Sequence, residues 1–275
     1  MNPKRQKVRK FLIVTFFLLL PITLNYYSPA LMTQGTASRV ATFSLFTWTA
    51  IFVSSLLLGR AFCGYACPFN GLQTAWETVS DKPNKQVRFV RWIKYAMWGL
   101  WAGAVVAFAV ATGGWQRIDL LYMTPNVISM EALPNHIVYY TLVGITLLPT
   151  LMGKRGFCHY FCPFGVWGIA GTRIGRMARL PMLHLRGDAT ACTDCGKCDR
   201  NCPMSLPVSA MAKKGDAFHT ECTLCGTCVD GCKNGGIRYA FGIPARSACC
   251  SGQSKPGPAS NTGLPARTRG RRVAA

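Results

Sequence analysis

Apolar residues gather in four runs, separated by short polar or basic stretches. They lie at about 11–31 (FLIVTFFLLLPITLNYYSPAL), 41–58 (ATFSLFTWTAIFVSSLLL), 93–112 (IKYAMWGLWAGAVVAFAVAT) and 136–152 (HIVYYTLVGITLLPTLM). Each approaches the ~20 residues a helix needs to cross a bilayer, and the two shorter runs continue into further apolar sequence. The pattern predicts four transmembrane helices. The first run follows a basic start without a clean small-residue cleavage site, so it is expected to remain as a span. Lys94 in the third run is expected to snorkel to the interface. Gly99 and Gly103 in the same run permit close helix approach, with internal packing the expectation.

Charge orients these spans. Residues 1–10 hold five lysines and arginines, 59–94 hold six, and 153–186 hold six with no acid, whereas the other two loops hold Arg39 and Arg117. This is a positive-inside distribution. It predicts a bacterial inner-membrane protein with both termini, and everything after about residue 152, on the cytoplasmic side. Half of the chain is apolar and only 15% is charged, yet the net charge is +21. That excess lies on the membrane flanks and the tail, so anionic lipid is the expected counter-surface, and no nucleic-acid partner is expected. Residues 165–186 read as a membrane-surface linker. Residues 244–275, rich in Gly, Pro, Ser and Arg, read as a disordered basic tail in which Cys249 and Cys250 are spare thiols.

A repeat runs through the apolar part. RAFCGYACPF begins at Arg60 and RGFCHYFCPF at Arg155, identical at seven of ten positions. Each follows an even-numbered run, so the unit is two spans plus a C-x-x-x-C-P element, used twice in parallel. Cys63 and Cys67 are four apart, as are Cys158 and Cys162, a spacing that shares one face of a helix. Three readings stand for these four: small residues packing a turn, a dithiol that switches to disulfide, or a converging metal or cluster site. His159, between the second pair, is expected to face headgroups or phosphate, with metal binding the alternative.

Eight further cysteines follow in two identical spacings, Cys192, Cys195, Cys198, Cys202 and Cys222, Cys225, Cys228, Cys232. The C-x-x-C-x-x-C-x-x-x-C run, used twice, signals two four-iron clusters. Zinc sites use paired C-x-x-C, and a cytoplasmic placement disfavours disulfides. Iron–sulfur clusters carry single electrons, so an electron-transfer role follows.

This segment resembles the bacterial two-cluster ferredoxins. The resemblance implies that one cluster takes Cys192, Cys195, Cys198 and Cys232, and the other Cys222, Cys225, Cys228 and Cys202. Pro203 fits that pattern; Lys233 stands where a second proline is expected. Residues 1–243 together resemble the NapH-type membrane quinol dehydrogenase subunit. They also resemble nitrous oxide reductase maturation and methylamine-utilisation ferredoxin-type proteins. The implied fold is a membrane all-α part at 11–164, four transmembrane helices in two parallel two-helix repeats. A cytoplasmic α+β ferredoxin-like domain follows at 187–243, after a basic N-terminus at 1–10. The implied function is a quinol dehydrogenase component that passes electrons from the membrane quinone pool to a periplasmic reductase or dehydrogenase system. A soluble iron–sulfur or cytochrome partner would carry them onward. The alternative is a maturation factor that binds or reduces a metal such as copper at Cys63, Cys67, Cys158 and Cys162.

Polar residues on the outer side are the candidates for quinol and proton handling: His136, Asp119 and Glu131, with Asn25 and Arg117 beside them. Tyr26, Tyr27, Trp115, Tyr122, Tyr139 and Tyr140 read as an interfacial aromatic belt.

Overall fold

The computed structural model describes residues 3–80, 82–84, 88–124, 126–130 and 133–244. Glu131, Cys249 and Cys250 lie outside the described residues. The four expected spans are not there. One helix, Trp92–Ala111 within Arg88–Ala111, is long and apolar enough to cross a membrane. Counting the pair Lys4–Leu18 and Leu20–Tyr27 as one broken span, bent by 54°, gives a second.

Each shortfall has a local cause. Pro21 lies in the first turn of Leu20–Thr23, where its missing N–H and fixed φ start a new helix instead of continuing the old one. The second run begins as the strand Val40–Thr42, leaving a helix of 16 residues, Phe43–Leu58, that stops at Gly59 with φ 57°. The fourth run is helical over Leu133–Leu147 and tightens into a 3-10 turn, Leu148–Met152, at Pro149. The architecture is therefore mixed rather than an all-α membrane bundle with an appended domain. Among the described residues there are two small sheets. Val40–Thr42 pairs in parallel with Arg117–Asp119, and Met182–Gly187 pairs antiparallel with Ile237–Gly242, Met182 facing Gly242.

Two cores organise the chain. In the first, Trp48 is 1% exposed and stacks on Phe164 with centroids 4.8 Å apart. Trp101 and Trp167 complete this aromatic group at 5.1 and 5.8 Å from Trp48. The helices Phe43–Leu58 and Pro163–Met177 pack closely because small residues allow it: a Cβ on Gly175 would stand 2.6 Å from the Leu56 carbonyl oxygen. Gly71 lies as tightly against the helix Pro3–Leu18. By contrast, a Cβ on Gly99 or Gly103 would meet nothing within 4 Å, so the expected internal packing at that pair is absent. The second core holds Leu185, Met204, Leu206 and Val208 together with Cys158, Cys202 and Cys228. One cysteine of the repeat thus belongs to the core of the ferredoxin-like segment.

Candidate functional site

The two C-x-x-x-C-P elements fold alike. Ala61–Tyr65 and Gly156–Tyr160 are short helices. Each breaks before its second cysteine, since a residue preceding proline is pushed out of the helical region. Cys67 (φ −76°, ψ 121°) and Cys162 (φ −63°, ψ 119°) are extended, and Pro68 and Pro163 open the helices Pro68–Trp76 and Pro163–Met177. The cysteines of a pair therefore do not share a helix face as their spacing suggested. The chain turns between them instead.

That turn gathers all four thiols in the interior. Cys63, Cys67, Cys158 and Cys162 are buried, between 2% and 7% exposed. The Cys158 and Cys162 thiols are coupled neighbours, and Cys67 and Cys162 both feel the charge of Cys63 and Cys158. Gln73 donates Nε2–H to the Cys158 sulfur at 3.1 Å. The pairing with Cys162 lowers the Cys158 thiol and raises that of Cys162, with Arg155, Gln73 and Arg60 favouring the Cys158 thiolate against burial. Burial pushes Cys63 and Cys67 up.

Two arginines brace this pocket, and each crosses to the other repeat. Arg60, 3% exposed, lies along Gly165 and Gly168 of the second repeat. Arg155, 1% exposed, reaches Glu77 at 2.7 Å and Thr74 at 3.1 Å, and also donates to Asn70, all on the first repeat's chain. Arg60 donates to the Thr220 carbonyl at 2.9 Å and pairs with Glu221 at 3.2 Å. Lys94 completes the group, 2.7 Å from the other Glu221 oxygen and fully buried. The expectation that Lys94 snorkels is thus corrected: a buried carboxylate draws it inward. His159 is corrected as well. It is fully buried beside Glu221, Lys94 and Arg60, not at headgroups, and burial lowers it to about 4, so it is neutral at pH 7.

The ferredoxin-like segment has its own internal twofold resemblance. Asp194 and Leu224, each before a second cysteine, are left-handed (φ 56° and 53°), as are Gly196 and Gly226 just after it. Left-handed backbone at a non-glycine residue is costly, and its recurrence at equivalent positions shows one loop design used twice. Such turns aim successive N–H groups into a concavity that suits negative charge. Accordingly Lys197 N–H faces the Cys195 sulfur and Leu224 N–H the Cys222 sulfur. Cys202, from the first run, lines one cavity with Cys222, Cys225 and Cys228 of the second. Burial raises Cys202 to about 11 and Cys222 to about 12, a burden that binding as metal-held thiolates removes. The donor chemistry and the cavity fit a four-iron cluster. Cys198 and Cys232 pack against the same core from its outer side, Cys192 is half-buried and Cys195 is exposed.

The two sites touch. A Cβ on Gly64, between Cys63 and Cys67, would stand 2.4 Å from the Thr223 carbonyl oxygen and 3.5 Å from the Cys225 Cα. Tyr65 and Tyr239 hydroxyls meet at 3.3 Å, and Tyr239 also donates to the Leu224 carbonyl. Among the described residues no three His, Cys, Asp or Glu side chains are grouped to hold a single metal ion. A tetrahedral ion with 2.3 Å bonds draws its sulfurs to roughly 3.8 Å from one another; a four-iron cube holds them wider.

Of the residues expected on the outer side, Asp119 ends a strand, paired with Arg117 at 3.5 Å and accepting from Leu121 N–H at 3.2 Å. Asn25 donates to Thr124 at 2.8 Å. His136 is half-buried on the helix Leu133–Leu147. Sequence reasoning missed Arg60, Arg155, Gln73 and Glu221. The first two were legible as the shared opening residue of the repeat.

These loops and thiols define an iron–sulfur electron-transport protein of ferredoxin type. Residues 40–86 and 135–167 match the family described as a 4Fe-4S binding domain, and 191–237 that described as a 4Fe-4S dicluster domain. The chain is 29% identical over 214 residues to the putative electron transport protein YccM of Escherichia coli, covering 73% of this chain and 56% of that protein. It is 26% identical to the nitrogen fixation protein FixG of Rhizobium meliloti, covering 66% and 38%. It is 24% identical to the ferredoxin-type protein NapH of Haemophilus influenzae, covering 65% and 61%. The matched region spans about half the length of these relatives. No solved structure matches the chain. The chain is thus similar to ferredoxin-type 4Fe-4S proteins, NapH among them.

Proposed function

We propose that the chain is a membrane-anchored relay that takes electrons from membrane quinol and hands them to a soluble redox partner serving a reductase system. The observation that carries this reading is that Cys63, Cys67, Cys158 and Cys162 are all buried within one another's electrostatic reach, and that Gly64 between the first two abuts the Thr223–Cys225 loop. In this reading the pocket is a third iron–sulfur site, and the other two use Cys202, Cys222, Cys225, Cys228 and Cys192, Cys195, Cys198, Cys232. A four-iron cluster in such a site supplies reversible one-electron storage. The chain supplies the rest. Arg60 and Arg155 offset thiolate charge where water is excluded, Gln73 donates to the Cys158 sulfur, and the turn amides donate to sulfurs in the ferredoxin loops. Hydrogen bonds and charges at sulfur are what set a cluster's potential.

Membrane attachment is supported by the helix Arg88–Ala111, whose Leu100 and Val110 are 79% and 77% exposed. Apolar surface of that extent needs a lipid or protein cover. Asp119 and His136 remain the proposed quinol and proton residues among the described ones. Anaerobic holoprotein in lipid vesicles, titrated with a short-chain quinol, tests the function by its visible and paramagnetic spectra. Bleaching of the iron–sulfur absorption with appearance of reduced-cluster resonances is expected. Intact, oxidised clusters under every quinol, when dithionite reduces them, would contradict it.

A further inference from the structure

The two ferredoxin loops are alike in backbone but opposite in surroundings. The second is covered. Cys225 is buried, Gln6 donates to its carbonyl at 3.1 Å, and Asp230 is taken up by Arg5 and Gln6 of the N-terminal helix. The first is open, and Cys195 is its exposed thiol.

Exposed bases lie in and beside the first cysteine loop and next to Cys232. Lys197, Arg200, Lys213 and Lys233 are all exposed. Arg200 donates to the Cys195 carbonyl at 3.1 Å, Lys213 lies beside Cys192, and Lys233 follows Cys232 directly. Asp194, the exposed acid of this loop, is already paired with Lys213 at 2.8 Å. Asp199 is turned inward, accepting from the Ser209 amide at 2.7 Å and from its hydroxyl at 2.5 Å. The region 187–243 as a whole is balanced in charge, with six bases and six acids. Its acids are spent internally; Lys197, Arg200 and Lys213 lie on or against the loop that holds Cys195, the exposed thiol of the segment, and in the two-cluster reading Lys233 joins them through Cys232.

We propose that the Cys192–Cys202 loop is the docking face for a soluble one-electron carrier with an acidic face. The inference rests on the two-cluster reading of residues 191–237. Complementary charge brings such a carrier to the face and orients it, and the exposed Cys195 brings the site closest to it. One electron crosses; the donor is oxidised by one, the acceptor reduced by one, and no bond between the proteins is made or broken. Anionic lipid is attracted by the same charge but accepts no electron, and it gives no reason for an uncovered thiol.

The test uses the full-length holoprotein and an acidic flavodoxin in its oxidised form as the probe, with binding read by calorimetry at low and high salt. Binding that weakens with salt is expected. Lys197→Glu with Lys233→Glu should weaken it roughly tenfold or more and flatten the salt dependence. Arg173→Glu with Arg179→Glu, exposed on the helix Pro163–Met177 and just after it, should leave it unchanged. Arg200→Gln, which removes one charge without reversing it, should give a smaller loss. Unchanged affinity in the Lys197 and Lys233 pair, or equal loss in the Arg173 and Arg179 pair, would overturn the proposal. So would retained flavodoxin binding alongside lost binding to phosphatidylglycerol vesicles. Iron and sulfide counts on the same sample keep the cases apart, because a sample without clusters fails the two-cluster reading and not the docking face.

Discussion

Arg60 Nη1 lies 3.2 Å from Glu221 Oε2, a fully buried ion pair that ties the opening residue of the first repeat to the residue before Cys222. Lys94 joins the same carboxylate from the long helix. Removing one partner of a buried pair leaves the others as uncompensated charges and costs about 3–5 kcal/mol. Glu221→Ala is therefore expected to lower the melting temperature strongly. It should also shift the potential of the adjoining cluster, read by redox titration with paramagnetic resonance. Lys94→Met should do less, because Arg60 still faces the carboxylate.

Arg155 is the second brace. Its guanidinium joins Glu77, Asn70 and Thr74 across the repeat boundary. Arg155→Met keeps the stem but strands these partners, and is expected to destabilise by about 3 kcal/mol or more. Glu77→Gln should cost less, since the Glu77 side chain is 20% exposed and keeps a hydrogen-bonding group. Chemical denaturation of the two variants checks the order.

Gly64 separates the two sites by no more than a backbone's thickness. Gly64→Ala puts a methyl 2.4 Å from the Thr223 carbonyl oxygen, and overpacking of this kind costs about 1–3 kcal/mol. The variant is expected to melt lower and to weaken magnetic coupling between reduced centres. Gly99→Ala, with open space at its Cβ, should melt at or slightly above the wild-type temperature, since alanine favours helix by about 1 kcal/mol over glycine.

The Glu221 carboxyl is held down at about 2: burial alone would raise it, but Arg60 and Lys94 outweigh burial, and His159 adds to them only once acid has protonated it. A folded-state value below the ordinary ~4.3 means the folded state releases the proton more readily. Its stabilisation is fully present above about pH 5 and is lost as pH falls towards 2. The melting-temperature gap between wild type and Glu221→Gln should therefore be widest near neutrality and narrow on acidification. A gap that widens in acid would contradict the pairing.

How far the sequence could be read depended on what each signal encodes. The cysteine spacings at 192–232 name a local chemistry, and the loops they form need little beyond their own backbone. Hydropathy alone named four spans, but Pro21, Thr42 and Pro149 interrupt helices that composition treats as continuous. Lys94 and His159 were misplaced for another reason: both answer to Glu221, which is more than 60 residues away from either in the chain. Long-range ion pairing leaves no mark in local periodicity. The repeat did carry such a mark, since Arg60 and Arg155 open both copies, but it looked like membrane-flanking charge.

The central claim is that Cys63, Cys67, Cys158 and Cys162 form a third iron–sulfur site in contact with the ferredoxin pair. Iron and acid-labile sulfide per chain, counted on anaerobically purified protein, test it most directly. The account predicts roughly twelve of each, falling to roughly eight in Cys63→Ser with Cys158→Ser while the ferredoxin resonances persist. Roughly eight of each in both proteins would contradict it.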